Sequence, residues 1–199
     1  MATFIFTGCA TTYLQQSTNV SNQKKKYEKI LVVHRAADKT VRIALENDIV
    51  NDLKMKGVNA AASIQAIKTV SFDKELTEAQ LDELVDTLLK QGYTGVIVTN
   101  LLDASQYTQV TPGATYPAYY GGWDTYWGYY PMYQQQPDRI TTGVEYIVES
   151  CLFDITDKQG DNLQWVGRFK LRDPSDLHKV TAKYSTELVE ALMASNISN

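Results

Sequence analysis

The most informative absence in this sequence is that of basic side chains over a long central stretch. No Lys or Arg occurs from Gln91 to Asp138, and the chain of 199 residues carries a formal net charge of −4. Binding to nucleic-acid phosphates needs a basic surface, with cations placed among the aromatic residues that stack on bases. The sequence therefore predicts no nucleic-acid partner.

Histidine and cysteine are also scarce, with two residues of each. Neither His34 nor His178 belongs to an HExxH motif, and the sequence contains no Gly-x-Ser-x-Gly or Gly-x-Gly-x-x-Gly motif. We therefore expect no enzyme, no cofactor and no metal site. The enzymatic alternative is a hydrolase in which Cys151 acts with His34 or His178, although a single Cys in a strand is usually a small apolar residue.

Acidic residues form two groups that could suggest a site. Asp154, Asp157 and Asp161 surround a predicted hairpin turn, but their spacing is not that of a calcium-binding EF-hand, so we interpret them as turn residues. Glu145 and Glu149 share one face of a predicted strand, where basic residues of the next strand would pair with them. Both groups are predicted to be structural.

The amino terminus lacks the features of a membrane-spanning helix, because no run approaches about 20 apolar residues. Residues 6–9, Phe-Thr-Gly-Cys, instead resemble a bacterial lipobox, although the eight residues before Cys9 include no Lys or Arg. The sequence thus predicts a remnant of a lipoprotein signal in residues 1–9 and lipidation at Cys9. Residues 10–28 are polar and are predicted to form a flexible tether. The alternative is an apolar terminus that matches a lipobox by chance.

Hydrophobic periodicity from residue 29 onward predicts one α/β (α+β) domain, residues 29–199, with about five strands and three helices on a mixed sheet. The predicted order is β-α-β-α-β, a long aromatic loop, then β-β-α. The predicted strands cover residues 29–33, 58–67, 95–102, 144–153 and 163–172, and the last two form an antiparallel hairpin.

The three helices are predicted from capping and periodicity. The first starts at Asp38 or Thr40 and ends at Gly57, with Arg42, Glu46, Asp48 and Asp52 on a solvated face. The second opens with a Thr77–Gln80 capping box and ends at Gly92. The third follows residues 174–176 and points Leu177, Val180, Tyr184, Leu188 and Leu192 inward.

A segment rich in Tyr and Trp interrupts this pattern as an insertion over residues 104–138. Gly and Pro exclude a regular helix there, and a connection this long in a small domain is expected to be functional, self-packed or disordered. The interpretations left open are packing of its own rings, association with protein or with copies of itself, stacking on peptidoglycan or another glycan, and contact with a bilayer surface. The candidate binding residues are Tyr116, Tyr119, Tyr120, Trp123, Tyr126, Trp127, Tyr129, Tyr130 and Tyr133.

The order of elements, the lipobox-like start and the phrase Val-Arg-Ile-Ala-Leu-Glu at residues 41–46, followed by Gly57, resemble a broad group of envelope lipoproteins. Residues 29–194 are similar in pattern to the amino-terminal domain of the periplasmic protein TolB and to the outer-membrane lipoprotein that activates a penicillin-binding protein. The resemblance implies a non-enzymatic binding role in the cell envelope, and Ala10 after Cys9 implies the outer membrane. We expect a lipid-anchored module that associates with an envelope protein or with itself, or alternatively binds peptidoglycan or another glycan.

Overall fold

The computed structural model describes residues 12–36, 38–67, 76–118, 132–157, 162–172 and 176–195. Within these ranges, the chain forms eight strands and four helices. In chain order they are β1 (Leu14–Asn19), β2 (Ile30–Arg35), α1 (Lys39–Met55), β3 (Ala60–Ala62), α2 (Ser63–Ala66), α3 (Glu78–Lys90), β4 (Gly95–Thr111), β5 (Thr115–Ala118), β6 (Met132–Gln135), β7 (Arg139–Asp154), β8 (Leu163–Arg172) and α4 (Leu177–Ala194).

Six of these strands form one sheet in the order β1-β8-β7-β4-β2-β3, and β5 and β6 form a separate two-stranded sheet. Strand β2 is parallel to both β3 and β4, whereas β1 is antiparallel to β8. The short connection between β7 and β8 also requires an antiparallel pair. This mixed sheet with packed helices confirms the predicted α/β (α+β) class, with one more strand in the main sheet than the five that were expected.

The two faces of the main sheet carry separate cores. Strand β2 alternates between them, with Ile30 and Val32 on the side of α1 and α4, and Leu31 and Val33 on the side of α3. The first core is the larger and encloses Trp165, which is completely buried. A strand buried on both faces has a continuous apolar run, which is why residues 30–33 show no alternation in the sequence.

The helix ends follow the predicted chemistry. Asp38 is the N-cap of α1 and accepts hydrogen bonds from the backbone N–H groups of Thr40 and Val41. The predicted capping box of α3 is present in full between Thr77 and Gln80. Gly57 and Gly92 follow α1 and α3 with φ of 81° each, the left-handed conformation that glycine adopts at low cost.

Four predictions about the elements need correction. Leu14–Asn19, predicted to be part of a flexible tether, forms β1 because it completes the sheet edge beside β8. The predicted strand 58–67 is only β3, since α2 follows at Ser63. Strand β4 continues to Thr111, well into the predicted insertion, and β7 begins at Arg139, before the predicted strand 144–153. Glu46, predicted to be on a solvated face, is completely buried.

The chain divides into two compact units. The first comprises residues 1–104 and 146–199, and the second is Ser105–Glu145. The second unit contains the distal part of β4, the β5–β6 sheet and the first part of β7. We refer to Ser105–Glu145 as the arm, and its limits are close to those of the predicted insertion 104–138.

Candidate functional site

The arm exposes several apolar and aromatic side chains. Strand β4 is largely buried over residues 95–99, but from Leu101 to its end at Thr111 nearly every residue is exposed. Within the arm, Val110 is 54% exposed and Ile140 is 67% exposed. Strands usually have about 3–10 residues, so β4, with 17 residues, is unusually long, and its second half is exposed.

The β5–β6 sheet places a tyrosine on each of its faces. Tyr116 lies opposite Gln134 in the register and Tyr133 lies opposite Pro117, so the side chains of the two tyrosines point to opposite sides. The Tyr116 hydroxyl donates to Oε1 of Gln134 at 3.1 Å. Tyr116 is 41% exposed and Tyr133 is 69% exposed. Both rings therefore keep a large part of their surface open to a partner.

The other predicted binding residues lie outside the described residues. They are Tyr119, Tyr120, Trp123, Tyr126, Trp127, Tyr129 and Tyr130. Cys9, the predicted lipidation site, also lies outside the described residues. Their assignments stay predictions.

A buried carboxylate organises the carboxyl end of β2. One oxygen of Glu46 accepts from the backbone N–H of His34 at 3.0 Å, from Nε of Arg42 at 2.9 Å and from Oγ of Ser63 at 2.7 Å. Its other oxygen accepts from the backbone N–H of Ile64 at 3.0 Å. Four donors thus compensate the buried carboxylate for its loss of water. The same hydrogen bonds connect β2, α1 and α2 at the start of a parallel crossover.

Beside this network, a cavity of about 470 Å³ opens between the sheet and the first turns of α1 and α4. This size is in the range of small-molecule sites, about 300–1,000 Å³. Ligands of α/β proteins commonly bind beyond the carboxyl ends of parallel strands, and this cavity is at that end of β2. Its walls are mainly aliphatic and include Val41, Leu45, Val148, Leu171, Leu177 and Val180.

Polar groups line one part of this cavity. His34 is 7% exposed, and its Nδ1 atom is buried without a hydrogen-bond partner. The pKa of His34 is below its usual value because the effect of burial is larger than the opposing effects of Glu46 and the Thr99 backbone. The hydroxyl oxygens of Tyr184 and Ser150 are 2.7 Å apart, and those of Ser150 and Thr99 are 2.5 Å apart. The three hydroxyl groups thus form a hydrogen-bonded chain that ends at Tyr184. Burial raises the pKa of Tyr184, so this phenol stays protonated.

A second cavity, of about 700 Å³, is on the opposite face of the sheet beneath α3. Leu84, Val85 and Phe153 are among its lining residues. The buried side-chain atoms without a hydrogen-bond partner, among the described residues, are Nδ1 of His34 and the Tyr27 hydroxyl, and neither residue lines this cavity. The cavity beside His34 thus has the stronger signs of a ligand site.

Cys151 has the environment of a structural thiol. Its side chain is half-buried, and burial, followed by the charge of Glu149, raises its pKa to about 11. A nucleophilic cysteine needs the opposite shift, because the thiolate is the reactive form. His178 is exposed on α4.

The acidic groups have structural partners. Glu149 accepts from Nε of Arg168 at 2.7 Å, which confirms the predicted cross-strand pair. Asp154 forms an ion pair with Lys25 and accepts from the backbone N–H of Thr156 at 2.9 Å. Asp161 lies outside the described residues, and no metal-binding group of His, Cys, Asp or Glu occurs among those that are described. None of the described helices is long and apolar enough to cross a bilayer.

The fold and the cavity define a mixed α/β domain with an exposed arm, and two solved structures show some likeness to it. No protein-family model and no curated protein sequence matches the chain. A single-substitution variant of the PelC dodecamer from Paraburkholderia phytofirmans has a TM-score of 0.48 at 12% identity, covering 90% of this chain and 98% of the PelC chain. Lipoprotein GNA1162 from Neisseria meningitidis has a TM-score of 0.43 at 10% identity, covering 83% of this chain and 98% of its own.

TM-scores this low support no inference about function or assembly. The predicted resemblance to the TolB amino-terminal domain and to the penicillin-binding-protein activator is not supported by these structures. It stays a prediction.

Proposed function

We propose that this chain is a non-catalytic, lipid-anchored module of the bacterial cell envelope, placed at the outer membrane, that associates with protein through its arm. The observation that carries the proposal is the exposure of Val110, Tyr116, Tyr133 and Ile140 within the arm. Four exposed apolar and aromatic residues within one segment favour a contact role for the arm, and tyrosine contributes a large rigid contact area at low entropic cost. The association is with further copies of the chain or with an envelope protein.

The aliphatic residues on the arm favour a protein partner over a glycan ligand. Tyrosine rings stack on sugars as readily as they pack in protein interfaces, so Tyr116 and Tyr133 alone do not distinguish the two. Val110 and Ile140 offer a glycan no stacking face and no hydrogen bond, but they gain from burial against another apolar surface. Peptidoglycan or another glycan is therefore the second candidate.

The non-catalytic part of the proposal is supported by the chemistry of Cys151. Its raised pKa and its half-buried position disfavour the thiolate that a hydrolase would need. Replacing Cys151 with Ser should leave every association described below unchanged. A Cys151→Ser variant that loses a cellular phenotype while remaining folded and associated would contradict this part.

Association is tested on a soluble Cys9→Ala chain by sedimentation velocity over a wide range of concentration. We expect oligomers that form as the concentration rises. The Tyr133→Ser/Ile140→Ser variant should lose at least about 2 kcal/mol of the free energy of association if either residue is a hot spot. The matched control is Met55→Ser/Leu81→Ser, because these residues are 77% and 47% exposed but lie outside the arm. The control should associate like the parent.

If the parent is monomeric, association with an envelope protein is tested in cells. A photo-crosslinking residue at position 133 should trap a discrete envelope protein that the same residue at position 55 does not trap. Peptidoglycan fragments are added to the same chain, and quenching of Trp fluorescence would support the glycan candidate instead. Failure of self-association and of specific crosslinking together would show that the arm is not an association surface.

The anchor is tested separately. A gene product with its native start should incorporate labelled palmitate and partition into detergent, because several acyl chains hold a protein firmly at a bilayer. The Cys9→Ala variant should be released as soluble protein. Equal partitioning of the two would refute the lipid anchor and would leave the role of the arm unaffected.

A further inference from the structure

The part of β4 that belongs to the arm has a neighbouring strand on one side only. Strand β2 pairs with β4 up to Arg35, which lies opposite Asn100. On its other side β4 is next to β7, while β5 and β6 form their own sheet. Among the described strands, none therefore lies beside residues 105–111 on the side where β2 pairs with the first part of β4. We refer to this side of residues 105–111 as the β4 edge.

The two faces of the same segment are open as well. Each residue from Ser105 to Thr111 is exposed except Tyr107, which is partly buried. Successive residues of a strand point to opposite faces, so the exposure includes both faces of the segment. A ribbon of two strands is at most marginally stable in water, and a third strand or a covering layer is needed for independent stability. The arm therefore gains stability when another strand pairs at the β4 edge.

The sequence of the β4 edge is suited to strand pairing. Residues 105–111 are Ser-Gln-Tyr-Thr-Gln-Val-Thr, without a charged residue, Pro or Gly. Proteins commonly protect an exposed edge from pairing with Lys, Pro, a bulge or a very short strand. The β4 edge has seven residues and neither Lys nor Pro, and its Thr, Val and Tyr residues favour strands. These are the features of an edge that accepts an added strand.

A second copy of the same edge is the partner that this sequence fits. Two identical strands that pair antiparallel about a two-fold axis use the same residues on both chains and form a closed dimer. With the axis at Thr108, the seven residues all have partners, because Thr108 faces Thr108 and Ser105 faces Thr111. Facing hydroxyl residues stabilise neighbouring strands, whereas facing like charges destabilise them. Asp103, the only charged residue of β4, then faces position 113, beyond the end of the strand, and not the other Asp103.

We propose that two copies of the chain pair antiparallel through their β4 edges, with a two-fold axis at Thr108, so that the two arms share one continuous sheet. This inference rests on the proposed association of the arm and specifies its partner as a second copy. The residues that test it are separate from Tyr133 and Ile140, which lie on β6 and β7. Association of the arm can therefore be confirmed while pairing at the β4 edge is refuted.

Charge reversal at the axis tests the pairing on the soluble Cys9→Ala chain by sedimentation velocity. Thr108→Lys and Thr108→Glu each place two like charges opposite each other, and each should weaken dimerisation about tenfold or more. An equimolar mixture of the two variants should restore dimers, because Lys then faces Glu. Damage to the fold of either variant would not be repaired by mixing. The matched control is Thr115→Lys, an exposed Thr of β5, which should dimerise like the parent.

Amide hydrogen exchange of the parent gives a readout that needs no variant. Peptides that cover residues 105–111 should exchange more slowly at concentrations above the dimerisation midpoint than below it, since the β4 edge then forms hydrogen bonds to the other chain. Strand β1 is the control, because it is the outermost strand of the main sheet and is not part of the proposed interface. Its exchange should not depend on concentration.

The outcomes separate this inference from the proposed function. Dimers that form equally well with Thr108→Lys and Thr108→Glu, variants that mixing does not restore, or unchanged exchange of residues 105–111 would each overturn pairing at the β4 edge. Association of the arm would still stand if the Tyr133→Ser/Ile140→Ser variant weakened the same dimer. A monomeric parent would also overturn the pairing, and crosslinking from position 133 would then decide the proposed function alone.

Discussion

Among single residues, Glu46 is a case in which helical spacing gives a wrong prediction of exposure. Its spacing places it with Arg42 on the polar side of α1, which is the usual sign of a solvated surface. In the structure, α2 covers that side, and Ser63 and Ile64 supply donors from a segment 17 and 18 residues away in the chain. Helical periodicity carries no information about a short helix that folds back from the next strand.

Replacing Glu46 with Ala should be strongly destabilising. The change removes the acceptor of four donors, one of which is Nε of Arg42, and losing one member of a buried ion pair typically costs about 3–5 kcal/mol. Urea unfolding measures the effect, with Asp48→Ala as a control on the same helix. A loss below about 1 kcal/mol would mean that water replaces the carboxylate, which contradicts the burial of this network.

Stability should also depend on His34 as the pH falls. Burial lowers its folded-state pKa below the reference value of 6.5, so the unfolded chain takes up the proton first. The free energy of unfolding is therefore expected to decrease as the pH falls through 6.5 and below. Urea unfolding at about pH 7.5 and about pH 5.5 should show a smaller decrease in His34→Phe than in the parent. His178→Gln, which changes an exposed histidine, should keep the parent's dependence.

Among the elements, those with strong local signals were predictable. The capping box of α3, the N-cap of α1 and the alternation along β7 and β8 are all determined by neighbouring residues. Strand β1 was missed because its sequence, Leu-Gln-Gln-Ser-Thr-Asn, has little apolar content and pairs along only one side. Its partners are distant: Thr12, Tyr13 and Leu14 all donate to Oε2 of Glu187 on α4.

Truncation distinguishes a strand from a tether at this end of the chain. A chain that begins at residue 12 should unfold like the parent. A chain that begins at residue 21 loses β1, and should be less stable by about 2 kcal/mol or more because it exposes apolar surface beneath Leu14 and Tyr13. It should also aggregate more readily, since β8 becomes an unprotected edge. Urea unfolding and light scattering measure the two effects, and equal behaviour of the two truncated chains would contradict the pairing of β1 with β8.

At the scale of the whole molecule, the sequence revealed the arm but not the cavity. Gly, Pro and aromatic residues set the insertion apart from periodic segments, so its limits were close to those of the second unit. The cavity is lined by residues from both ends of the chain, including Val41 and Val180. In the sequence, each of these residues resembles an ordinary core residue. The cavity between them depends on the distance between α1 and α4 on the sheet, which the sequence pattern does not give.

Removing residues 112–134 and closing the gap with a short Gly/Ser linker should leave the first unit folded. The buried hydrophobic residues among those described all come from outside this range. Shortening a connection changes its closure entropy slowly, by about 0.6 kcal/mol for each halving. Calorimetry should show a cooperative transition close to that of the parent. Loss of cooperativity would show that the aromatic residues belong to the core after all.

The pairing of β1 has a mechanical consequence for an anchored domain. With Cys9 as the proposed anchor, a load applied there reaches Thr12 within about 11 Å of extended chain and the sheet, at Leu14, within about 18 Å. A load directed along the axis of β1 acts across hydrogen bonds to β8 that are perpendicular to the strands. Those bonds share the force in shear instead of opening one after another, and Glu187, with its three donors in residues 12–14, carries it first.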